Sequence, residues 1–283
     1  MSEHSDPGAL TELGGQLSAL EFPHQLSLVL LAHVLGREKT WVLAHPEAHL
    51  TPAQKAKLDE LTERLLAGEP LPYILGQQEF MGLMFKVSPA VLIPRPETEM
   101  LVEQADAWLS AHPLARRAAD VGTGSGCIAI SLAARHRRLR LVASDISTEA
   151  LELASENARR HSVENQIEFI AVNLLPEQPS PLDLICANLP YIPSARVRQV
   201  NSLPYEPRLA LDGGADGLQL ISRLLATAPQ WLKNPGLLLL ETEAALGAET
   251  VRRAQRAFPE AEVSLLSDLA GRDRLVRVER MGQ

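Results

Sequence analysis

Short apolar runs alternate with segments of helical periodicity from about residue 118 to the end of the chain. The runs have the length of strands, and the segments between them repeat apolar positions about every 3.6 residues, as amphipathic helices do. The predicted strands are 118–121, 139–144, 167–172, 182–187, 236–241, 262–266 and 274–279, and the predicted helices are 126–135, 148–160, 217–232 and 245–257. This alternation predicts an α/β fold with a doubly wound, mainly parallel seven-stranded sheet whose last two strands pair antiparallel.

The first 75 residues show helical periodicity only. Thr51-Pro52 predicts a helix start with Thr51 as the N-cap, and Gly68 predicts its end. A preceding helix, about 23–34, is apolar over much of its surface, as the central helix of a bundle is. Residues 1–75 are therefore predicted to form a small helical bundle. Because the bundle contains no catalytic grouping, we expect it to recognise a partner protein or to serve packing.

Residues 76–97 are predicted to link this bundle to an α/β domain at 98–283. Apolar residues interrupted by turn residues such as Gly82 predict a β-hairpin. The linker ends in Pro94-Arg95-Pro96, where two prolines stiffen the chain, and we expect Thr98 to cap the helix that follows. This last run is either a rigid linker or a border of the active site, and its position directly before the α/β domain favours the second interpretation.

Composition and charge limit the classes of partner and site. The net charge of −8 argues against a large phosphate-binding surface, and so against direct nucleic acid binding. No apolar run approaches membrane-spanning length and no signal-peptide pattern is present, so we expect no membrane contact and a cytoplasmic protein. Cys127 and Cys186 lie in apolar segments, which predicts buried free thiols. The eight histidines are scattered without ligand-like pairing, so no metal site is predicted.

A glycine-rich turn follows the first predicted strand of the α/β domain. The run Asp120-Val121-Gly122-Thr123-Gly124-Ser125-Gly126 stands between that strand and a helix, as in the nucleotide-binding turn of a doubly wound sheet. Its spacing is G-x-G-x-G and not the dinucleotide G-x-G-x-x-G, so a pyrophosphate is not the expected ligand. Asp145 ends the second strand about 20 residues further on, where an acidic side chain accepts hydrogen bonds from ribose hydroxyls.

Asn188-Leu189-Pro190-Tyr191 follows the apolar strand 182–187. The Asn188 side-chain carbonyl and the Leu189 backbone carbonyl can accept the two hydrogens of a planar –NH₂ group, while the ring of Tyr191 packs against its flat face. An Asn-Pro turn that merely ends a strand is the alternative. Asp120, the glycines, Asp145 and Asn173 also stand at strand ends, which meet at one edge of a parallel sheet. Their order favours a methyl-donor site beside an amine-holding site.

With these residues the chain resembles the Rossmann-type methyltransferases that use S-adenosyl-L-methionine, and more narrowly the bacterial release factor N5-glutamine methyltransferases. The resemblance covers nearly the whole chain. Its specific part is Pro94-Arg95-Pro96-Glu97-Thr98-Glu99, because Asn-Pro-Pro-Tyr tetrads also occur in DNA adenine-N6 methyltransferases. Other segments that carry it are Gly68-Glu69-Pro70, Tyr73-Ile74-Leu75-Gly76, Tyr205-Glu206-Pro207, Asp212-Gly213-Gly214 and Asp216-Gly217-Leu218. The resemblance implies methylation of the side-chain amide nitrogen (N5) of the glutamine in the Gly-Gly-Gln motif of peptide chain release factors.

The resemblance also implies site residues, with two departures from the family pattern. The tetrad Asn188, Leu189, Pro190 and Tyr191 would bind the substrate amide. The residues implied to contact the cofactor are Gly122, Thr123, Gly124, Ser125, Gly126, Asp145, Asn173, Leu174 and Asn188. Leu189 replaces a proline but keeps its carbonyl, and its place before Pro190 favours an extended backbone. Asn173-Leu174 replaces a common Asp-Trp pair; Asn173 can still hydrogen-bond adenine, whereas Leu174 loses aromatic stacking.

Three other functions remain open at this point. An adenine-N6 methyltransferase of DNA or RNA would share the tetrad, but we would expect it to show a basic stripe. A glutamine methyltransferase acting on a ribosomal protein would share the glycine loop and the tetrad, and only the N-terminal domain and the linker speak against it. A cofactor-binding module without activity would explain Leu189 as decay of the tetrad.

Overall fold

The chain divides into two compact units, Met1–Gly76 and Gln77–Gln283. The structure, a computed structural model, describes residues 23–45, 48–197 and 205–282. The first part of the predicted bundle, residues 1–22, lies outside the described residues. Within the described ranges, no helix combines the length and the apolar character needed to cross a membrane.

The described part of the first unit is helical, as predicted. Its helices are α1 (Pro23–Leu35), α2 (Lys39–Ala44), α3 (Pro52–Leu66) and α4 (Leu71–Leu75). Thr51 caps α3 in a capping box: its hydroxyl accepts from Gln54 N at 3.3 Å, and Gln54 Oε1 accepts from Thr51 N at 2.9 Å. Apolar side chains from α1 to α4 bury one core, formed by Leu30, Leu31, Ala32, Val42, Leu58, Leu61 and Ile74.

The second unit contains a hairpin, a seven-stranded sheet and the helices that cover it. The strands are β1 (Gln77–Phe80), β2 (Leu83–Lys86), β3 (Arg117–Val121), β4 (Arg140–Asp145), β5 (Ile167–Ala171), β6 (Leu182–Ala187), β7 (Leu232–Glu241), β8 (Glu262–Ser267) and β9 (Asp273–Arg280). The helices are α5 (Pro96–Ala111), α6 (Cys127–Arg135), α7 (Thr148–Arg160), α8 (Ser194–Val197), α9 (Gln219–Trp231) and α10 (Gly247–Ala257).

The large sheet has the order β5-β4-β3-β6-β7-β9-β8. The strands from β3 to β7 pair in parallel, and β9 pairs antiparallel with both β7 and β8. This arrangement confirms the predicted doubly wound, mainly parallel fold. Each face of the sheet is covered by helices and buries its own apolar cluster, which is why the central strands are apolar on both faces. Cys127 and Cys186 are buried free thiols in one of these clusters, as predicted.

The predicted hairpin is present as β1 and β2, but the predicted helix cap at Thr98 is wrong. Met81 and Gly82 form the turn, both with positive φ, as two-residue hairpin turns require. Helix α5 begins at Pro96, and Arg95 is the residue that precedes it. Because proline is favoured in the first helical turn, the helix starts three residues earlier than a cap at Thr98 would give. Thr98 therefore lies inside the first turn, where its side chain is buried.

Candidate active site

The carboxyl ends of the central strands border a cleft of about 680 Å³. Because β3 lies between β4 and β6, the chain changes direction across the sheet at this point, which is where doubly wound folds bind ligands. The predicted site residues in the lining are Gly122, Thr123, Gly124, Ser125, Asp145, Asn173, Leu174, Asn188, Leu189 and Pro190. Two predicted residues, Gly126 and Tyr191, are not part of the lining.

Asp120 holds the glycine loop against the start of α6. Its Oδ2 accepts hydrogen bonds from the Thr123 hydroxyl at 2.7 Å and from Ala129 N at 3.1 Å. The side chain is fully buried, and this burial raises the pKa of Asp120 to about 6. Asp120, near the end of β3, therefore fixes the glycine loop through these hydrogen bonds, and it does not itself line the cleft.

The glycines of the loop have different tasks. Gly124 has φ of +53°, and a Cβ placed on it would meet no atom within 4 Å, so its backbone is open to the cleft. A Cβ on Gly126 would lie 2.9 Å from Ile130 Cδ1 and 3.1 Å from Ala154 Cβ. Gly126 is thus required for packing of the loop against α6 and α7, and its contact with the cofactor stays a prediction.

Asp145 braces the loop from the neighbouring strand. Its Oδ2 accepts from Gly124 N and its Oδ1 from Ser147 N, both at 2.9 Å. Each carboxylate oxygen has a second lone pair, so the side chain can also accept hydroxyl groups from a ligand. Asp145 lines the cleft, and the ribose contact stays a prediction.

The third strand end is shaped by Leu174. This residue has φ of +73°, a conformation that costs about 1–2 kcal/mol for a residue with a side chain. Its carbonyl accepts the Ser144 hydroxyl at 2.6 Å, which fixes the turn against β4. Asn173 and Leu174 both line the cleft, and their contact with adenine stays a prediction.

Together these features fit S-adenosyl-L-methionine. The open backbone at Gly124 admits a ligand to close approach. Asp145 offers a carboxylate to hydroxyl groups, and the side chain of Ile146 in the same lining is 53% exposed, an apolar surface suited to an adenine ring. Asn173 can donate and accept hydrogen bonds at the edge of that ring.

Two carbonyl acceptors of the tetrad belong to residues that line the cleft, Asn188 and Leu189. Asn188 Nδ2 donates to the Thr98 hydroxyl oxygen at 3.0 Å, so the amide nitrogen is engaged by the protein. Within the described residues, no group donates to Asn188 Oδ1 or to the Leu189 carbonyl. Leu189 is 3% exposed. An apolar wall with two free carbonyl oxygens can hold a planar –NH₂ group in a poorly hydrated position.

A second group of polar residues lies behind the tetrad. The Tyr191 hydroxyl donates to Glu241 Oε1 at 3.5 Å, and hydrogen bonding from the Thr98 hydroxyl lowers the pKa of this carboxylate. Glu241 is 4% exposed, and burial raises its pKa to about 7. The Tyr191 side chain is thus engaged outside the cleft lining, and the packing of its ring against a substrate amide remains a prediction.

Sequence reasoning missed Thr98 and Glu241 as members of the site. Glu241 ends an otherwise apolar run, Leu237 to Leu240, at the carboxyl end of β7. A charged residue at that position of a buried parallel strand was the available signal, because buried carboxylates are rare without a partner. The strand order of the sheet, however, cannot be read from the sequence, so the sequence does not show that Glu241 at the end of β7 lies beside the tetrad.

Glycines behind the tetrad allow two backbone segments to lie in contact. Ile192 and Asp212 form a parallel bridge, and Gly213 N donates to the Ile192 carbonyl at 2.8 Å. A Cβ on Gly213 would lie 2.7 Å from both the Pro190 carbonyl oxygen and the Tyr191 Cα. The Asp-Gly-Gly segment thus supports the tetrad, and its Asp212 and Gly214 also line the cleft.

The Pro94-Arg95-Pro96 segment borders the cleft, as the sequence suggested, because Pro94 and Arg95 are in its lining. Arg95 Nη2 donates to both carboxylate oxygens of Glu206, at 2.8 and 2.7 Å, and Ile93 N donates to Glu206 Oε1 at 3.3 Å. The Glu206 side chain is fully buried. This ion pair fastens the segment before α5 to the loop around residue 206.

Two family models match the chain, each over part of its length. Residues 9–76 match the PrmC N-terminal domain, and residues 96–201 match the Methyltransferase small domain. Among solved structures, the 16S rRNA N2 G1207 methyltransferase of T. Thermophilus, in complex with AdoMet and guanosine, superposes with a TM-score of 0.53. It is 15% identical and covers 72% of this chain and 49% of that chain, so this likeness shows the fold alone.

Curated relatives match nearly the whole chain. The release factor glutamine methyltransferase of Moorella thermoacetica is 41% identical over 272 residues, which is 94% of this chain and 95% of the relative. The enzyme of the same name from Bordetella pertussis is 39% identical over 271 residues, 94% of this chain and 98% of the relative. At this identity and coverage, the chain belongs to the release factor glutamine methyltransferase family.

Proposed function

We propose that this chain transfers a methyl group from S-adenosyl-L-methionine to the side-chain amide nitrogen (N5) of the glutamine in the Gly-Gly-Gln motif of peptide chain release factors. The observation that carries the proposal is the pair of free acceptors, Asn188 Oδ1 and the Leu189 carbonyl, in the cleft that the glycine loop also lines. A glutamine amide is planar and presents two N–H donors, which matches this pair. The curated relatives carry the same substrate in their names.

The residues of the tetrad have to hold and desolvate a weak nucleophile. When bound, S-adenosyl-L-methionine supplies an electrophilic methyl group on a positively charged sulfur. Asn188 and Leu189 accept both amide hydrogens, which fixes the plane of the amide and raises the electron density on its nitrogen. Alignment of this kind contributes up to about 7–11 kcal/mol in well-oriented reactions. After transfer the nitrogen carries one proton too many, and this strongly acidic proton passes to water.

Leu189 is compatible with this task. The family's proline and Leu189 both offer a backbone carbonyl at the same place, and Leu189 is held by burial against the glycine loop. The freer unfolded chain costs about 0.5–1 kcal/mol of stability relative to proline. We therefore expect an active enzyme and not a decayed binding module.

The test is a transfer assay with tritiated S-adenosyl-L-methionine and intact release factor purified without prior methylation. We expect label in the release factor, located by mass spectrometry of the tryptic peptide that contains Gly-Gly-Gln. A release factor with that glutamine replaced by asparagine is the matched substrate control, since it keeps an amide but withdraws it by one methylene.

The competing functions are tested in the same assay. Adenine-rich DNA and RNA and the total ribosomal proteins replace the release factor in separate reactions. Label in nucleic acid or in a ribosomal protein, with none in the release factor, would contradict the proposed substrate. A release factor substrate also places the reaction in the cytoplasm, where translation terminates, and requires no direct contact with nucleic acid or membrane.

A further inference from the structure

We propose that Glu241 is a positioning residue for methyl transfer: through the hydroxyl of Thr98 it sets which way the Asn188 side-chain amide points. This inference rests on the proposed function, since it assigns an orientation to the acceptor that holds the substrate. The three residues are called the Glu241 relay below. None of them lies in sequence near another: they come from α5, from the segment after β6 and from the end of β7.

The sheet brings two members of the relay together. β6 and β7 are parallel neighbours, and Ala187 pairs with Leu240 in their register. The next residues, Asn188 and Glu241, therefore leave adjoining strands side by side. Thr98, in the first turn of α5, is 2% exposed and accepts Asn188 Nδ2 at 3.0 Å. Its hydroxyl also lowers the pKa of Glu241 by hydrogen bonding, and we infer that it donates its proton to this carboxylate.

Proton counting fixes the direction of both hydrogen bonds. An ionised carboxylate can only accept, so the single hydroxyl proton of Thr98 is committed to Glu241. The Thr98 oxygen can then only accept from Asn188, which has to present its –NH₂ group. Asn188 Oδ1 is consequently turned away from Thr98 and left for the substrate. With no acceptor at Glu241, the hydroxyl could donate to Asn188 Oδ1, and the amide could take the opposite orientation.

The surroundings of Glu241 agree with a functional and not a structural carboxylate. Its Oε2 atom is buried and has no hydrogen-bond partner among the described residues. A buried carboxylate with one oxygen unpaired costs several kcal/mol of desolvation, and an apolar residue there would serve stability better. Such groups concentrate at functional sites.

The protonation state of Glu241 follows from the groups that face it. Burial raises its pKa to about 7, and nearby Glu97 adds to this shift, whereas Thr98, Arg274 and Tyr191 oppose it. The charge of Glu241 contributes to raising the pKa of the Cys127 thiol on α6, and the charge of Glu243 contributes to raising the pKa of Tyr191. Below this pKa the neutral acid can donate to Thr98, and the relay loses its fixed direction. Methyl transfer should therefore gain rate as pH rises through about 7.

The experiment compares kcat and KM for intact release factor in four enzymes between pH 6 and pH 9. Thr98→Val keeps the shape of the side chain but removes the hydroxyl, and we expect kcat to fall at least tenfold with the dissociation constant of S-adenosyl-L-methionine within twofold of wild type. Thr98→Ser restores the hydroxyl and should recover most of the lost kcat. Glu241→Gln should lower kcat at pH 8 and abolish the rise of kcat through neutral pH.

The matched control is Thr242→Val. Thr242 is fully buried directly after Glu241, but its hydroxyl donates to the Glu243 carbonyl at 3.3 Å and lies outside the relay. We expect its kcat within twofold of wild type, with the wild-type pH profile. Cofactor titration and circular dichroism establish that each variant is folded.

The outcomes separate this inference from the function on which it rests. A wild-type enzyme that leaves release factor unlabelled overturns the proposed function, and the relay with it. An active wild type overturns the relay alone if folded Thr98→Val keeps its kcat, if Thr98→Ser does not recover it, or if Glu241→Gln retains the wild-type pH profile.

Discussion

In the proposed mechanism, Asn188 divides its two polar atoms between the protein and the substrate. Its Nδ2 is engaged by Thr98, and its Oδ1 has no donor among the described residues, so we expect it to accept from the substrate. An alanine at this position removes both functions at once, whereas the glycine loop and Asp145 do not depend on it.

We expect Asn188→Ala to lower kcat by at least two orders of magnitude. Loss of a preorganised polar contact in a desolvated site raises a barrier by about 3 kcal/mol. The dissociation constant of S-adenosyl-L-methionine, measured by titration calorimetry, should change little. Asn165→Ala, at an exposed position, is the control for the substitution itself. Turnover within threefold of wild type would remove Asn188 from the mechanism.

Asp145 belongs to the cofactor side of the cleft. Asp145→Ala removes the proposed acceptor for ribose hydroxyls and also frees the Gly124 and Ser147 amides. Hydrogen bonds to a charged group contribute about 1.5–3 kcal/mol each, so we expect cofactor binding to weaken by at least tenfold. Calorimetry with Glu152→Ala, which removes an exposed acid on α7, provides the comparison. Equal dissociation constants for the two variants would place the ribose elsewhere.

At the scale of elements, Asn157 joins three segments that the sequence separates. Its Oδ1 accepts from Lys86 N at 2.7 Å, and its Nδ2 donates to the Lys86 carbonyl at 3.0 Å and to the Ser125 carbonyl at 2.9 Å. A fully buried side chain on α7 therefore ties the hairpin strand β2 to the glycine loop. The hairpin is in this way part of the support of the cofactor site.

We expect Asn157→Ala to lower the free energy of unfolding by about 2–4 kcal/mol, because it leaves buried backbone groups without partners at about 1–3 kcal/mol each. Urea denaturation of the full chain measures the change. The neighbouring Glu156→Ala breaks an exposed ion pair with the same Lys86 side chain, 2.8 Å long, and should cost less than about 1 kcal/mol. A similar decrease in the free energy of unfolding for the two variants would mean that Asn157 does not hold β2 to the glycine loop.

The types of the elements could be predicted from the sequence because buried positions are occupied by apolar residues, which gives a clear pattern along the chain. The run 182–187 is buried at every position, and it was recognised as a strand with its observed bounds. Ends were harder: β7 starts at Leu232 and not at residue 236, and α5 starts at Pro96. The glycine loop, Asp145 and the tetrad were predicted as site residues because each stands at the end of its own strand. Thr98 and Glu241 were not, because their roles arise from the packing of α5 and the order of β6 and β7.

At the scale of the whole molecule, each of the two units has its own apolar core. Among the described residues, those that line the cleft all belong to the second unit. Recognition of a substrate protein by residues 1–75 is a proposal, supported by the small contact area that a single glutamine-bearing loop can offer.

A chain that begins near Gly76 should therefore bind S-adenosyl-L-methionine with an affinity close to that of the full chain. It should methylate intact release factor much more slowly, because a second contact surface has been removed. A free Gly-Gly-Gln peptide should be a poor substrate for both forms, and nearly equally poor. Full-length enzyme that methylates the peptide as efficiently as the intact factor would leave the helical unit with a packing role only.

The contact between Gly122 and Leu189 has a thermodynamic consequence. A Cβ on Gly122 would lie 3.1 Å from Leu189 Cδ2, so one side chain forms the wall shared by the glycine loop and the tetrad. A movement of this side chain changes the affinity for the cofactor on one side and for the glutamine-bearing loop of the release factor on the other. Thermodynamic linkage makes the effect reciprocal: if bound cofactor raises the affinity for that loop by some factor, the bound loop raises the affinity for the cofactor by the same factor. A leucine side chain has rotamers that a proline ring lacks. The strength of this coupling therefore depends on how freely the Leu189 side chain changes its rotamer.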